Sequence, residues 1–331
     1  MTTLTTRLMT PAPRSSVTRR PRFGAGRVVA AVPAIIGSGL LLLVLFGWLG
    51  RWEGLVLLAW LTVGVATLSR AGETIAVRLG GRFRHPSPAE RQVLWPAWTA
   101  ALARAGLDTD DVDLYLHASP CANAYAVGRR SVAVTAGLGT EILARRHSEE
   151  QISAVLLHEL AHLVTAATRF DLLTTWLAAP WRYAARLVVG LGLATVGRGQ
   201  PRRLLAAVAA SGVVIAVVQT ARQADWVAAL TLAAVAVCAV ACPLADAAVS
   251  RRSEYAADAF VVQRGLGPQL ARVLTALDPT TRPHPTSASR MLARHPSTDQ
   301  RLDAIARTSD RVTAGSTRSR TGPGAGACAG R

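Results

Sequence analysis

The sequence predicts a mainly α-helical chain with a small β-sheet, set on about four transmembrane helices. Three observations lead there. Half of the 331 residues are hydrophobic and only 17% are charged, an unusual balance for a soluble globular protein. Several apolar runs approach or exceed the ~20 residues that cross a bilayer as a helix. Between them lie alternating and helically periodic segments, long enough together for a globular core.

Residues 1–27 are rich in Thr, Pro, Ser and Arg, the composition of a disordered basic tail. The apolar runs 27–50 and 54–68 are separated only by Arg51, Trp52 and Glu53, so 28–69 reads as a transmembrane hairpin. A signal peptide competes for the first run, but a second apolar run follows at once and no small-residue cleavage pattern intervenes. Residues 70–170 read as the first part of a globular domain. A helix is expected over 89–106, broken near Pro96. Residues 113–119, 122–128 and 131–137 alternate as strands do, with Gly128-Arg129-Arg130 as a turn. A further helix is expected over 148–167. Ser148 and Gln151 have capping-box spacing, and Glu149 and Glu150 suit the positive helix start.

Three more apolar runs follow, at 184–197, 204–219 and 226–249. Positive charge selects among them, because cytoplasmic loops carry the arginines. The basic N-terminus is therefore inside, and Arg198, Arg202 and Arg203 should be inside too. That makes 171–203 an interfacial segment, with Trp176, Trp181 and Tyr183 at headgroup level. Residues 204–249 then form a second transmembrane hairpin, ending at Arg251 and Arg252. Residues 250–307 are the second part of the globular domain, with a Pro/Thr/Ser linker at 278–289. A last helix is expected over 295–307, where Ser297 and Gln300 repeat the capping-box spacing. Residues 308–331 read as a disordered tail.

The formal net charge is +17, carried by arginine alone, for the chain contains no lysine. Arginine beside apolar segments suits an anionic inner leaflet. No basic stripe or nucleic-acid-binding module accompanies it, which argues against nucleic acid as a partner. Cys121, Cys238, Cys242 and Cys328 form neither a CxxC pair nor a disulfide framework.

The chemistry concentrates in "HELAH", residues 158–162. His158 and His162 stand four apart, so a helix puts both imidazoles on one face, about 5–6 Å apart at Cβ. Zinc accepts such nitrogens in a tetrahedral set. Glu159 is turned about 100° from His158, which suits a general base acting on water rather than a ligand. Two histidines satisfied in a core are the plainer alternative, but this apolar helix would then bury three polar groups at a cost of several kcal/mol unless they are paired. The stretch "SRRSEYAADAF" (250–260) offers Glu254 as a third ligand. Asp258, one turn later, is placed to accept the free ring N–H of a histidine. A solvated helix face paired with Arg251 or Arg252 is the competing reading of these two acids.

With these motifs the chain resembles the membrane-bound gluzincin metallopeptidases that include the heat-shock protease HtpX and the CAAX prenyl proteases. The resemblance covers about 85–307. It rests on "HELAH", on "SRRSEYAAD", on "HPSTDQRLDAI" and on "NAYAVGRRSVAVTAGL" (123–138). It implies an integral membrane zincin-like (minigluzincin) protease domain with one Zn2+ per chain. It further implies endopeptidase activity on membrane or misfolded proteins, and strand addition of the polypeptide substrate along Asn123, Ala124 and Tyr125. His295 either contacts substrate or a developing oxyanion, or packs at the start of the last helix. The expectation is a multi-pass cell-membrane protein with its active site facing the cytoplasm. Two rivals stay open: a signalling receptor metallopeptidase of the β-lactam-sensor type, which needs an external sensor domain, and a non-enzymatic membrane scaffold.

Overall fold

The computed structural model describes residues 23–144, 146–194, 201–277 and 293–320. Most of the expected N-terminal tail, the linker at 278–289 and the end of the C-terminal tail lie outside the described residues. Helices α1 (Phe23–Phe46) and α2 (Glu53–Ala66) are joined by a 3-10 turn, Gly47–Trp52. Val29, Val44, Leu58 and Val65 all project outward from this hairpin. Such a surface costs free energy in water and none in lipid. Phe23–Ala66 and Trp226–Gln263 are both long and apolar enough to cross a membrane.

Helix α3 (Arg70–Gly80) follows directly, capped by Ser69, whose Oγ accepts the Gly72 N–H at 3.0 Å. Helix α4 (Pro88–Ala105) starts at a Ser87–Glu90 capping box with proline at its first position. Its start is thus fixed by reciprocal hydrogen bonds and a pre-set φ. Pro96 does not break α4 as expected. A proline removes one ladder hydrogen bond, and the buried face of Leu94, Ala97, Trp98 and Ala101 holds the helix together across the gap.

The sheet has three strands, β1 (Asp113–His117), β2 (Ala124–Val127) and β3 (Ser131–Thr135), in the order β1-β3-β2. β1 runs parallel to β3 and β2 antiparallel, so Tyr115 and Tyr125 both stand opposite Ala133. β2 is therefore an edge. Helix α5 (Ala136–Leu143) leaves β3 directly, capped by Thr135. Helix α6 (Glu149–Val164) carries HELAH and begins at the Ser148–Gln151 capping box. The core joins α4, β3 and α6 through Trp98, Val132, Val134, Leu157 and Leu160.

Helices α7 (Asp171–Leu177) and α8 (Ala179–Ala194) occupy the segment expected at the interface. The Trp176 indole donates to the Trp60 carbonyl at 2.9 Å, and the Trp181 N–H donates to Ser38 Oγ at 3.1 Å. Gly37 and Gly64 make room for them: a Cβ at either would come within 2.8 Å of Trp181 or Leu177. The segment thus leans into the first apolar hairpin.

Helix α9 (Pro201–Arg222) precedes α10 (Trp226–Gln263), which is one helix of 38 residues. The apolar run at 226–249 and the acidic stretch after it are a single rod. Helices α11 (Gly267–Leu277) and α12 (Thr298–Arg320) complete the described chain. α12 continues beyond residue 308, where the sequence placed the start of a tail. No proline interrupts it, and its mainly polar surface is compatible with a solvated helix.

Candidate metal centre

Helices α6 and α10 cross in the core and bring their polar residues together. His158 and His162 are 5% and 6% exposed, Glu254 4% and Asp258 1%. One ligand atom each from His158, His162 and Glu254 lie within 4.8 Å of one another. His158 Nε2 is 3.4 Å from Glu254 Oε2, and His162 Nε2 is 3.5 Å from Glu254 Oε1. The two imidazoles meet edge to face, with centroids 4.9 Å apart. The other side of His158 is held by Asp258, with Nδ1 to Oδ1 at 3.0 Å.

Asp258 is held in turn by Arg301 of α12, through Nη2 to Oδ1 at 2.6 Å and Nε to Oδ2 at 2.9 Å. This paired fork is the strongest geometry an arginine and a carboxylate adopt. His295, on the segment before α12, is exposed and places Nδ1 3.2 Å from Glu254 Oε1.

Burial and the Arg301 charge both disfavour a charged His158. Hydrogen bonds to Asp258 and Glu254 outweigh them and push its pKa up to about 10. Burial also opposes charge on Glu254 and Asp258, but their imidazole partners hold both well below the usual carboxylate range. Positive charge is thus favoured between these carboxylates. Two imidazoles and a carboxylate are a donor set that Zn2+ takes, and it would displace that proton. The residues fit the ion.

Glu159 is partly exposed on the same helix. Its Oε2 accepts the Ala126 N–H at 2.7 Å. That N–H points away from β3, so Glu159 sits against the free edge of β2. Of the residues expected along this edge, Ala124 is buried, while Asn123 and Tyr125 are exposed. Asn123 Oδ1 accepts the Ala124 N–H at 2.9 Å, and the Asn123 carbonyl accepts the Thr135 N–H at 3.0 Å.

Two residues that bear on the centre have no role in the sequence reading. Arg301 lies in the quoted "HPSTDQRLDAI", but its fork to Asp258 needs a fold to be seen. Glu73 of α3 is 3% exposed. It accepts the N–H groups of Arg129 and Arg130, at 3.1 and 2.9 Å, and the Ser131 hydroxyl at 2.8 Å. It thus clamps the turn between β2 and β3. Gly128 in that turn has φ 65, and a Cβ there would come 2.8 Å from the Glu73 carboxyl carbon. The lone acid in a short amphipathic helix is the one signal the sequence gives.

A model of peptidase family M48 matches residues 88–309. The chain belongs to peptidase family M48. The match contains HELAH, Glu254, Asp258, His295 and Arg301. Among solved structures the chain is similar to Ste24p of S. mikatae, at 17% identity and a TM-score of 0.44, over 85% of this chain. It spans 65% of the length of that structure. No curated protein sequence matches it.

Proposed function

We propose that this M48 protein is an integral membrane zinc endopeptidase that hydrolyses peptide bonds of membrane or misfolded polypeptides on the cytoplasmic side. The observation that carries the reading is the convergence of two buried histidines and a buried glutamate from separate helices, with a second glutamate beside an edge strand. His158, His162 and Glu254 would hold one zinc ion, which would supply Lewis acidity and lower the pKa of a bound water toward ~7.

Glu159 takes the proton from the attacking water and hands it to the leaving amine. The Ala126 N–H fixes one of its oxygens, so the carboxylate is oriented before substrate arrives. Asp258 holds the His158 ring, and Arg301 holds Asp258. Asn123, Ala124 and Tyr125 offer an edge along which an extended substrate adds as a strand. His295 contacts the substrate or the oxyanion from the open side.

Four spans, α1, α2, α9 and the first part of α10, keep both parts of the protease domain on one face. The test is metal analysis of the purified chain with digestion of an unfolded protein such as casein, with and without a chelator. One zinc per chain and chelator-sensitive cleavage are expected. Cleavage that survives complete metal removal would overturn the reading.

A further inference from the structure

Away from this centre, a second polar cluster forms where α1, α7, α8, α10 and the segment before α12 meet. Its cavity of about 50 Å3 is lined by Arg27, Asp171, Thr174, Arg182, Asp246 and Arg294. Where one water needs about 10–15 Å3, such a volume takes a group of roughly phosphate size.

Two ion pairs frame it. Arg27 pairs with Asp171. Arg294 approaches Asp246 Oδ2 through Nε at 2.8 Å and Nη2 at 2.5 Å. Arg182 is in no ion pair among the described residues, so three guanidiniums face two carboxylates, an excess of one positive charge (3 − 2). The Nε of Arg27 is buried with no hydrogen-bond partner. A partly buried surplus guanidinium and an orphaned donor are costly unless an anion joins them. The fork of arginine matches phosphate oxygens in particular.

The cluster also has a place relative to the apolar helices. Arg27 is in the first turns of α1, and its Nη2 lies 3.5 Å from Ser250 Oγ, just past the apolar part of α10. Gly26 packs on Val249 beside it. The cavity therefore opens where two apolar helices end together, the level of headgroups in a bilayer.

We propose that this cavity binds a phosphate mono- or diester, the chemistry of an anionic lipid headgroup. The membrane reading above bears only on where the phosphate comes from, and not on the cavity itself. The test uses the full chain in detergent, with added phosphatidylglycerol, phosphatidylcholine or inorganic phosphate. Bound lipid is counted by native mass spectrometry, and the melting midpoint is followed in parallel.

One phosphatidylglycerol per chain, retained in preference to phosphatidylcholine, is expected. Arg182→Gln should lower its occupancy about fivefold, the worth of one basic residue near an anionic surface, and Arg182→Lys should recover part of it. Asp246→Asn removes a carboxylate and should raise the occupancy. A cluster that only ties helices together would instead loosen in that variant, so Asp246→Asn decides the matter even if Arg182→Gln folds poorly. A midpoint raised equally by inorganic phosphate, with the same dependence on Arg182, supports the site with a soluble source. A response to phosphatidylglycerol alone supports it with a lipid source. Equal retention of the two lipids with no phosphate response, or no effect of either substitution, overturns the proposal.

Discussion

Glu159 and Glu254 differ in what holds them, and substitution should separate them. Glu254 is surrounded by three imidazoles and lies 3.7 Å from an Arg301 nitrogen, whereas Glu159 meets a backbone N–H. Glu159→Gln should keep zinc in metal analysis and lose ~10²–10⁴-fold in peptidase rate, the contribution of a general base. Wild-type cleavage by that variant would refute the assignment. Glu254→Ala should lose metal as well as rate. Asp258→Ala should weaken metal affinity by a smaller factor, ~10–100-fold, measured by competition with a chelator. HELAH is legible in the sequence because its geometry is local, two ligands and a base on one helical turn. Glu254 is legible only because a site of this kind demands a third ligand. The partners of Asp258 and Glu73 are not legible, since Arg301 is 43 residues from the first and Arg129 is 56 from the second. Glu73→Ala would leave the buried Ser131 hydroxyl without its acceptor, at about 1–3 kcal/mol, and free the part-buried Arg129 and Arg130 N–H groups. Its midpoint in denaturant should fall accordingly, and an unchanged midpoint would mean that the clamp contributes nothing.

Helix starts were readable where a cap and its partner lie three residues apart. Ser148 with Gln151 and Ser297 with Gln300 both make the reciprocal bonds their spacing implies. The same device at Ser87 and Glu90 carries an additional partner, Arg84, whose guanidinium meets both Glu90 oxygens at 2.6 and 2.7 Å. Arg84 first, and the Ser87 N–H next, pull the Glu90 pKa from 4.5 down to about 2. A carboxylate held below its unfolded value stabilises above that value and loses its effect as pH falls through the folded one. The melting difference between wild type and Glu90→Gln should therefore be full above about pH 4.5 and close as pH falls to about 2. A difference independent of pH would show that the pair is inert. Element ends were harder to read where tertiary packing overrides local signals. Pro96 sits inside α4 because its neighbours are buried on α6, and α10 passes from apolar span to acidic stretch with no break that composition marks.

At the scale of the whole molecule, the centre draws on residues before and after the second apolar hairpin, so the proposed topology needs an even number of crossings between His162 and Glu254. With the native cysteines replaced, a single cysteine at Gln223 should react with a membrane-impermeant thiol reagent in intact cells. Single cysteines at Gln200 and Ser309 should react only after the membrane is opened. Labelling of Gln200 from outside would break the proposed topology. The continuity of α10 then acquires a mechanical meaning. At 1.5 Å per residue, Glu254 stands about 42 Å along the rod from Trp226. A tilt of about 5° swings it by about 4 Å, roughly twice the length of a zinc–ligand bond. Tilt is how a long apolar helix accommodates bilayer thickness. In the proposed topology the membrane would act as a gauge against which the third carboxylate is set. Pro243, the proline inside α10 near the end of its apolar run and before Glu254, is where a bend of the helix would absorb that tilt.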